Sequence, residues 1–289
     1  VSDQDRHRLL KNITDNYSVT NGERMISIGN EDAPRWLDAH KHQISWDHWN
    51  AYKKYLESLG RNEEIINENE KVIDTILDYS GDPRISSTSA RKGLVMGNVQ
   101  SGKTQNYLGL INKAIDAGYK TIIVLGGHLN DLRKQTQERV DEGVIGEQSI
   151  HLEEASTGPS TPIGIGNFFD NYKNSIISGT STKKDFNKAY ADQCGYKLDS
   201  GTPVIFIIKK HTTPLNLLCD WIERKHFLNP DEGIKCTQPV LLIDDEADYA
   251  SINTKHHKEK VTRTNGLIRK LLSLFNKSTY VGYTATPFA

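Results

Sequence analysis

Five short apolar runs constrain the fold of this chain more than any other feature: GLVM (93–96), TIIVL (121–125), PVIFII (203–208), VLLID (240–244) and TYVGY (279–283). Each is rich in β-branched residues, bounded by polar or glycine-containing stretches, and separated from the next by a helical period. That alternation predicts an α/β fold, a parallel sheet flanked by helices. Helices are expected at Lys103–Ala117, closed by Gly118, at about Asn130–Val140 and at Pro214–Arg224. Upstream the texture differs. Apolar steps of three and four predict one helix over Ser45–Leu59, with Ser45 as its cap, and another over Glu63–Tyr79, so residues 1–85 read as a small helical domain before a lobe at 86–289. Between about 141 and 202 the pattern fades into a polar, Gly/Ser/Thr-rich insertion, read as an excursion at the sheet edge or a mobile loop.

Charge and composition narrow the function. The 36 Lys and Arg nearly cancel the 37 Asp and Glu, so no global field draws the chain to nucleic acid or to a membrane surface, and a polyanion site has to be local. No apolar run approaches the roughly 20 residues that span a bilayer, and the expectation is a soluble protein with no membrane contact. Three cysteines without a CxxC pair suit a reducing compartment, the cytoplasm.

The segment GNVQSGKT, Gly97 to Thr104, fits GxxxxGK[ST], follows the first apolar run and opens a helix. In this loop type the backbone at Gly97, Gln100, Ser101 and Gly102 approaches phosphates, Lys103 reaches the terminal ones, and the Thr104 hydroxyl binds magnesium. An ordinary βα turn is the bland alternative. In VLLIDDEAD, Asp245 and Glu246 stand just past the end of a buried strand, where open α/β sheets bind ligands. Asp245 then serves the magnesium, and Glu246 orients and deprotonates the attacking water. The last run ends in Thr284-Ala285-Thr286, two hydroxyls at a strand end beside the acids.

GNVQSGKT, DEAD at Asp245 to Asp248, and TAT resemble motifs I, II and III of superfamily 2 helicases and translocases, in their order along the first RecA-like lobe. More narrowly, the segments from Gly93 to Val140, LLIDDEADYASINT and YVGYTATPFA resemble the Z-one domain family, helicase-like proteins of bacterial restriction and anti-phage defence, often described as endonucleases. The resemblance implies a P-loop NTPase motor with ATP and magnesium held between two lobes, the second lying outside this chain. It implies that Asp248 pairs with Thr284 or Thr286 to couple hydrolysis to movement. It also puts His128 and Arg133, in the place of motif Ia, and Lys209 and Lys210, after the strand VIFII, against a nucleic-acid backbone, DNA rather than RNA. Solvated charges at helix starts and strand ends are the alternative for those four. An adenine-reading glutamine is missing from residues 75–85, so the choice of ATP over GTP rests on the resemblance alone.

Weaker signals have plain readings. The aromatic stripe Trp36, Trp46, Trp49, Tyr52 and Tyr55 reads as core before base-stacking platform. His40, His42, Asp47 and His48 fit no zinc spacing. No acid cluster is followed by a lysine in the arrangement a nuclease needs. The expected activity is that of an ATPase motor lobe acting on nucleic acid in a defence system, with protein partners there. The alternatives are a nucleotide-dependent switch or assembly module that binds a protein partner, or an endonuclease whose nuclease site lies outside the chain.

Overall fold

The computed structural model of this 289-residue chain describes residues 27–28, 35–97, 102–149, 161–173, 175–195, 197–226, 228, 230–247 and 263–285. Its centre is a seven-stranded sheet. In chain order the strands are β1 (Ser27–Ile28), β2 (Ser89–Met96), β3 (Thr121–Gly126), β4 (Ile177–Ser178), β5 (Val204–Ile208), β6 (Val240–Asp245) and β7 (Lys277–Thr284). They lie side by side as β1-β2-β7-β6-β3-β5-β4. The six strands from β2 to β4 are parallel, and the short β1 pairs antiparallel with β2. This is the expected α/β, RecA-like architecture.

Among the described residues the α-helices longer than four residues are α1 (Asp47–Ser58), α2 (Glu63–Ser80), α3 (Lys103–Ala117), α4 (Asn130–Val140), α5 (Lys188–Cys194), α6 (Thr212–Lys225) and α7 (Arg263–Ser273). The run-like strands are apolar on both faces because both faces are covered. Ile122, Val124, Ile205, Ile207, Leu241 and Ile243 point to one side and pack with α1, α2 and α3. Their alternates Ile123, Leu125, Val204, Phe206, Val240 and Leu242 point to the other and pack with α6 and α7. No helix among the described residues is long and apolar enough to cross a membrane.

The aromatic stripe is core, as read: Trp36, Trp49 and Tyr52 are buried against α3 and its neighbours. Gly109 in α3 makes that approach close, since a Cβ there would stand 2.5 Å from Ile73 Cδ1 and 3.0 Å from Trp49. One cation and one carboxylate of α3 then fix the helical layer. The Lys113 side chain is fully buried, with its ammonium 2.6 Å from Glu70, 2.5 Å from Asp74, and over the rings of Trp46 and Trp49. Such an ion is tolerable inside only because it is paired and bonded. Asp116 accepts from the backbone N–H of His48 at 3.1 Å and of Trp49 at 2.9 Å. The cap of α1 is therefore a carboxylate from another helix, not Ser45, and no side chain at its own N-cap position bonds to it. A polar chain continues the connection: Tyr283 of β7 donates to Asn106 Oδ1 at 2.8 Å, and Asn106 donates to Asn69 Oδ1 of α2 at 2.7 Å.

The polar insertion does form the sheet edge, through β4, and it is tied to the end of α4. There the buried Asp141 accepts from Gln137 Nε2 at 2.9 Å and from the Ser149 N–H at 2.9 Å. The short α5, the longer α7 and β4 were not foreseen.

Substituting the distant cap tests this arrangement. Asp116→Ala should cost about 1–2 kcal/mol of stability, the range for a lost N-cap, whereas Ser45→Ala should stay within about 0.5 kcal/mol. Urea unfolding midpoints measure both, and equal losses would return the cap to Ser45.

Candidate functional site

The carboxyl ends of β2, β7 and β6 carry the site, and β7 lies between the other two. Met96 is in register with Thr284, and Asp245 with Tyr283, so the phosphate-loop strand and the acidic strand end at one level. Two strand spacings, about 10 Å, separate them. The last carbonyls of β7 bond to both loops: the Gly97 N–H donates to Thr284 O at 3.1 Å, and the Ala247 N–H donates to Tyr283 O at 2.8 Å. Gly282 lets the second loop come close, because a Cβ there would stand 2.9 Å from the Ala247 methyl.

On the loop side, Gly102 precedes α3 with φ 75°, a left-handed value that favours glycine, although a Cβ there would meet nothing within 4 Å. Conformation, not space, demands the glycine. Lys103 Nζ donates to the Gly97 carbonyl at 3.3 Å, which turns the lysine back toward the end of β2. Thr104, the first-turn hydroxyl, receives a long 3.4 Å contact from Arg139 Nη1 of α4. Gln100 and Ser101 lie outside the described residues.

On the acid side, Asp245 is half-buried and Glu246 exposed. Burial first, and the Glu246 charge second, push the Asp245 carboxyl above its usual range, while Lys103, Lys210 and Arg139 pull it back. Lys103 and Asp245 are thus near enough to feel each other. Glu246 has φ 62°, the one positive value on a non-glycine among the described residues. Holding a glutamate there costs on the order of 1–3 kcal/mol, so something must over-determine the turn.

Lys210 does so. Its side chain is wholly buried, ion-paired with the equally buried Asp244, and its ammonium also donates to the carbonyls of Asp245 at 3.0 Å and Glu246 at 2.6 Å. Tyr280 donates to the other oxygen of Asp244 at 2.8 Å. This corrects the expectation for Lys210, which is committed to the interior and offers nothing to a nucleic-acid backbone. Arg133 is corrected likewise. It is 4% exposed, donates to the Thr182 carbonyl at 2.9 Å, and burial lowers its pKa against the pull of Asp185 and Asp141. His128 and Lys209 stay half-buried at the same sheet edge, with Lys209 Nζ donating to Asn130 at 2.9 Å. Thr284 is 2% exposed and serves the site through its backbone, while Asp248 and Thr286 lie outside the described residues.

A divalent cation suits this donor set. Asp245 and Glu246 repel each other, and their carboxylates with the Thr104 hydroxyl are the hard oxygen donors that magnesium selects, although the described residues hold no group of three acidic, histidine or cysteine ligands. The Tyr107 hydroxyl belongs to the same neighbourhood: it is fully buried beside the Thr104 hydroxyl and the Arg139 guanidinium, and burial first, then the charge of Asp245, push its pKa up.

Sequence reading missed Asp244, Arg139 and Tyr107, and it missed the interior role of Lys210. Asp244 and Lys210 carried a signal, an acid one residue inside an apolar strand, which has to find a buried cation. Arg139 and Tyr107 carried none, because only the topology brings α4 to the phosphate loop. No family model matches the chain, and no curated protein matches it.

The two neighbouring lysines separate by stability. Lys210→Ala leaves the Asp244 charge buried without its cation and should cost about 3–5 kcal/mol. Lys209→Ala should cost under about 0.5 kcal/mol. Chemical denaturation checks this, and similar small losses would mean that Lys210 does not hold the acidic turn.

Proposed function

We propose that the chain is the ATP-binding and hydrolysing lobe of a superfamily 2 helicase- or translocase-like motor, acting in the cytoplasm on nucleic acid, DNA rather than RNA, in bacterial restriction or anti-phage defence. One observation carries the nucleotide reading: β7 bonds through successive carbonyls to the loop at Gly97 and to the acidic turn at Ala247. A phosphate loop and a carboxylate pair fixed to one strand end form a single site. The defence setting and the kinship with the Z-one domain family rest on the motifs GNVQSGKT, DEAD and TAT.

In this reading the amides at the start of α3 and Lys103 bind the phosphates, and Thr104 and Asp245 hold magnesium. The bound ion would neutralise phosphate oxygens as charge develops on them. Glu246, exposed on a turn that Lys210 holds, orients and accepts the proton of the attacking water. The strained φ fits that duty: it turns the carboxylate away from the interior that claims Asp244. Asp248, Thr284 and Thr286 would couple the hydrolysis state to movement.

A second reading, a nucleotide-dependent switch that binds a protein partner, gains from the burial of Arg133 and Lys210, which leaves only His128 and Lys209 of the four expected nucleic-acid contacts accessible.

Nucleotide binding and turnover, with and without polynucleotide, test the proposal. Lys103→Ala should lose nucleotide binding. Glu246→Gln should still bind ATP but turn it over about a hundredfold or more slowly. DNA should raise wild-type turnover. Wild-type turnover by Lys103→Ala would refute the phosphate loop, and indifference to every DNA and RNA would favour the switch.

A further inference from the structure

Among the described residues three cations surround the carboxylates of this site, and two of them are available to a ligand. Lys210 is fully engaged by Asp244 and two carbonyls. Lys103 rests on the Gly97 carbonyl, from which an anion would draw it. Arg139 is the third. It is exposed, it extends from the last turn of α4 to the first turn of α3, and its 3.4 Å contact with the Thr104 hydroxyl is longer than a well-formed hydrogen bond.

The charge balance calls for it. Among the described residues, with Lys210 cancelled by Asp244 and Arg139 left aside, Lys103 faces Asp245 and Glu246, a net charge of −1 before any polyphosphate arrives. A site of that sign does not hold a nucleotide without further positive charge, from a metal ion and from the protein. The guanidinium adjoins Thr104 and is felt by Asp245, so it stands at the end of the loop where the metal-binding hydroxyl and the acids meet. In phosphate-loop sites that end faces the β- and γ-phosphates. The buried Tyr107 hydroxyl adjoins both Thr104 and Arg139, so the guanidinium, the metal-binding hydroxyl and the phenol share one corner.

We infer that Arg139 is a phosphate-contacting residue supplied by the same lobe as the phosphate loop, and that on ligand binding it leaves Thr104 to bind the terminal phosphate of a nucleoside triphosphate. The inference rests on the nucleotide reading above and deepens it. A guanidinium on the γ-phosphate gives the lobe its own means of telling a triphosphate from a diphosphate. The exchange is geometrically simple: the group that occupies Thr104 in the free protein vacates it for the cation that the hydroxyl is placed to bind.

The experiment is calorimetric titration of the chain with magnesium and either ADP or the β,γ-imido analogue of ATP, for wild type, Arg139→Ala, Arg139→Lys and Lys103→Ala, with thermal melts as the control for folding. Arg139 is exposed, so Arg139→Ala should melt with the wild type. It should bind the triphosphate analogue at least about tenfold more weakly, as loss of a hydrogen bond to a charged group implies, and ADP within about threefold of wild type. Arg139→Lys should recover part of the loss, since it keeps the charge but not the fork. Unchanged analogue binding by Arg139→Ala, or an equal loss for both nucleotides, would overturn the inference while Lys103→Ala still loses both ligands. If wild type binds neither nucleotide, or Lys103→Ala binds both normally, the site reading itself falls.

Discussion

Two adjacent carbonyl oxygens at the end of β7 are the constraint on which the site depends. Thr284 O holds the phosphate loop and Tyr283 O holds the turn after the acids. Backbone bonds of this kind contribute only about 1 kcal/mol each, yet they set the relative position of two segments nearly 150 residues apart in the chain. A shift of β7 by one residue would reverse its faces, removing Tyr283 from Asn106 and both loops from their acceptors together. The in-register pairing of Thr284 with Met96 and of Tyr283 with Asp245 prevents that.

Two buried cations give this frame its rigidity. Lys210 compensates for an unusual arrangement, a carboxylate inside a strand and a glutamate in left-handed conformation, by bonding Asp244 and the carbonyls on either side of the turn. Lys113 does the corresponding work for the helical layer, binding α3 to α2 through Glu70 and Asp74. Because α3 starts at the GxxxxGKT segment, and Asn106 connects Tyr283 to Asn69, the helices before the sheet are mechanically continuous with the proposed site. Any displacement of β7 or α3 on ligand binding would be transmitted to α1 and α2.

Much of this was legible in the sequence, and the reasons are local. The strand runs, the bounds of α3 and α4, the glycine before Lys103 and the acids after VLLI each follow from periodicity or backbone preference within a few residues. Whatever depended on which segments become neighbours was not legible. Ser45 looked like a cap, but Asp116 performs that function from another helix. Lys209 and Lys210 read alike as adjacent charges after a strand, yet one stays half-buried and bonds Asn130 while the other runs inside to Asp244. Arg133 and Arg139 lie on one helix six residues apart; the first is a buried strut and the second reaches Thr104, a difference fixed by the crossing of α4 over the sheet. The insertion of β7 between the loop strand and the acid strand, which creates the site, has no signature in the order of motifs.

The central claim is that one magnesium nucleotide is bound by the phosphate loop and the acidic turn together. A crystal structure of the chain with magnesium and a non-hydrolysable ATP analogue tests it most directly. The account predicts the polyphosphate along Gly97 to Thr104 and a metal ion between the Thr104 hydroxyl and Asp245. A nucleotide bound elsewhere, or a metal ion that engages neither residue, would contradict it.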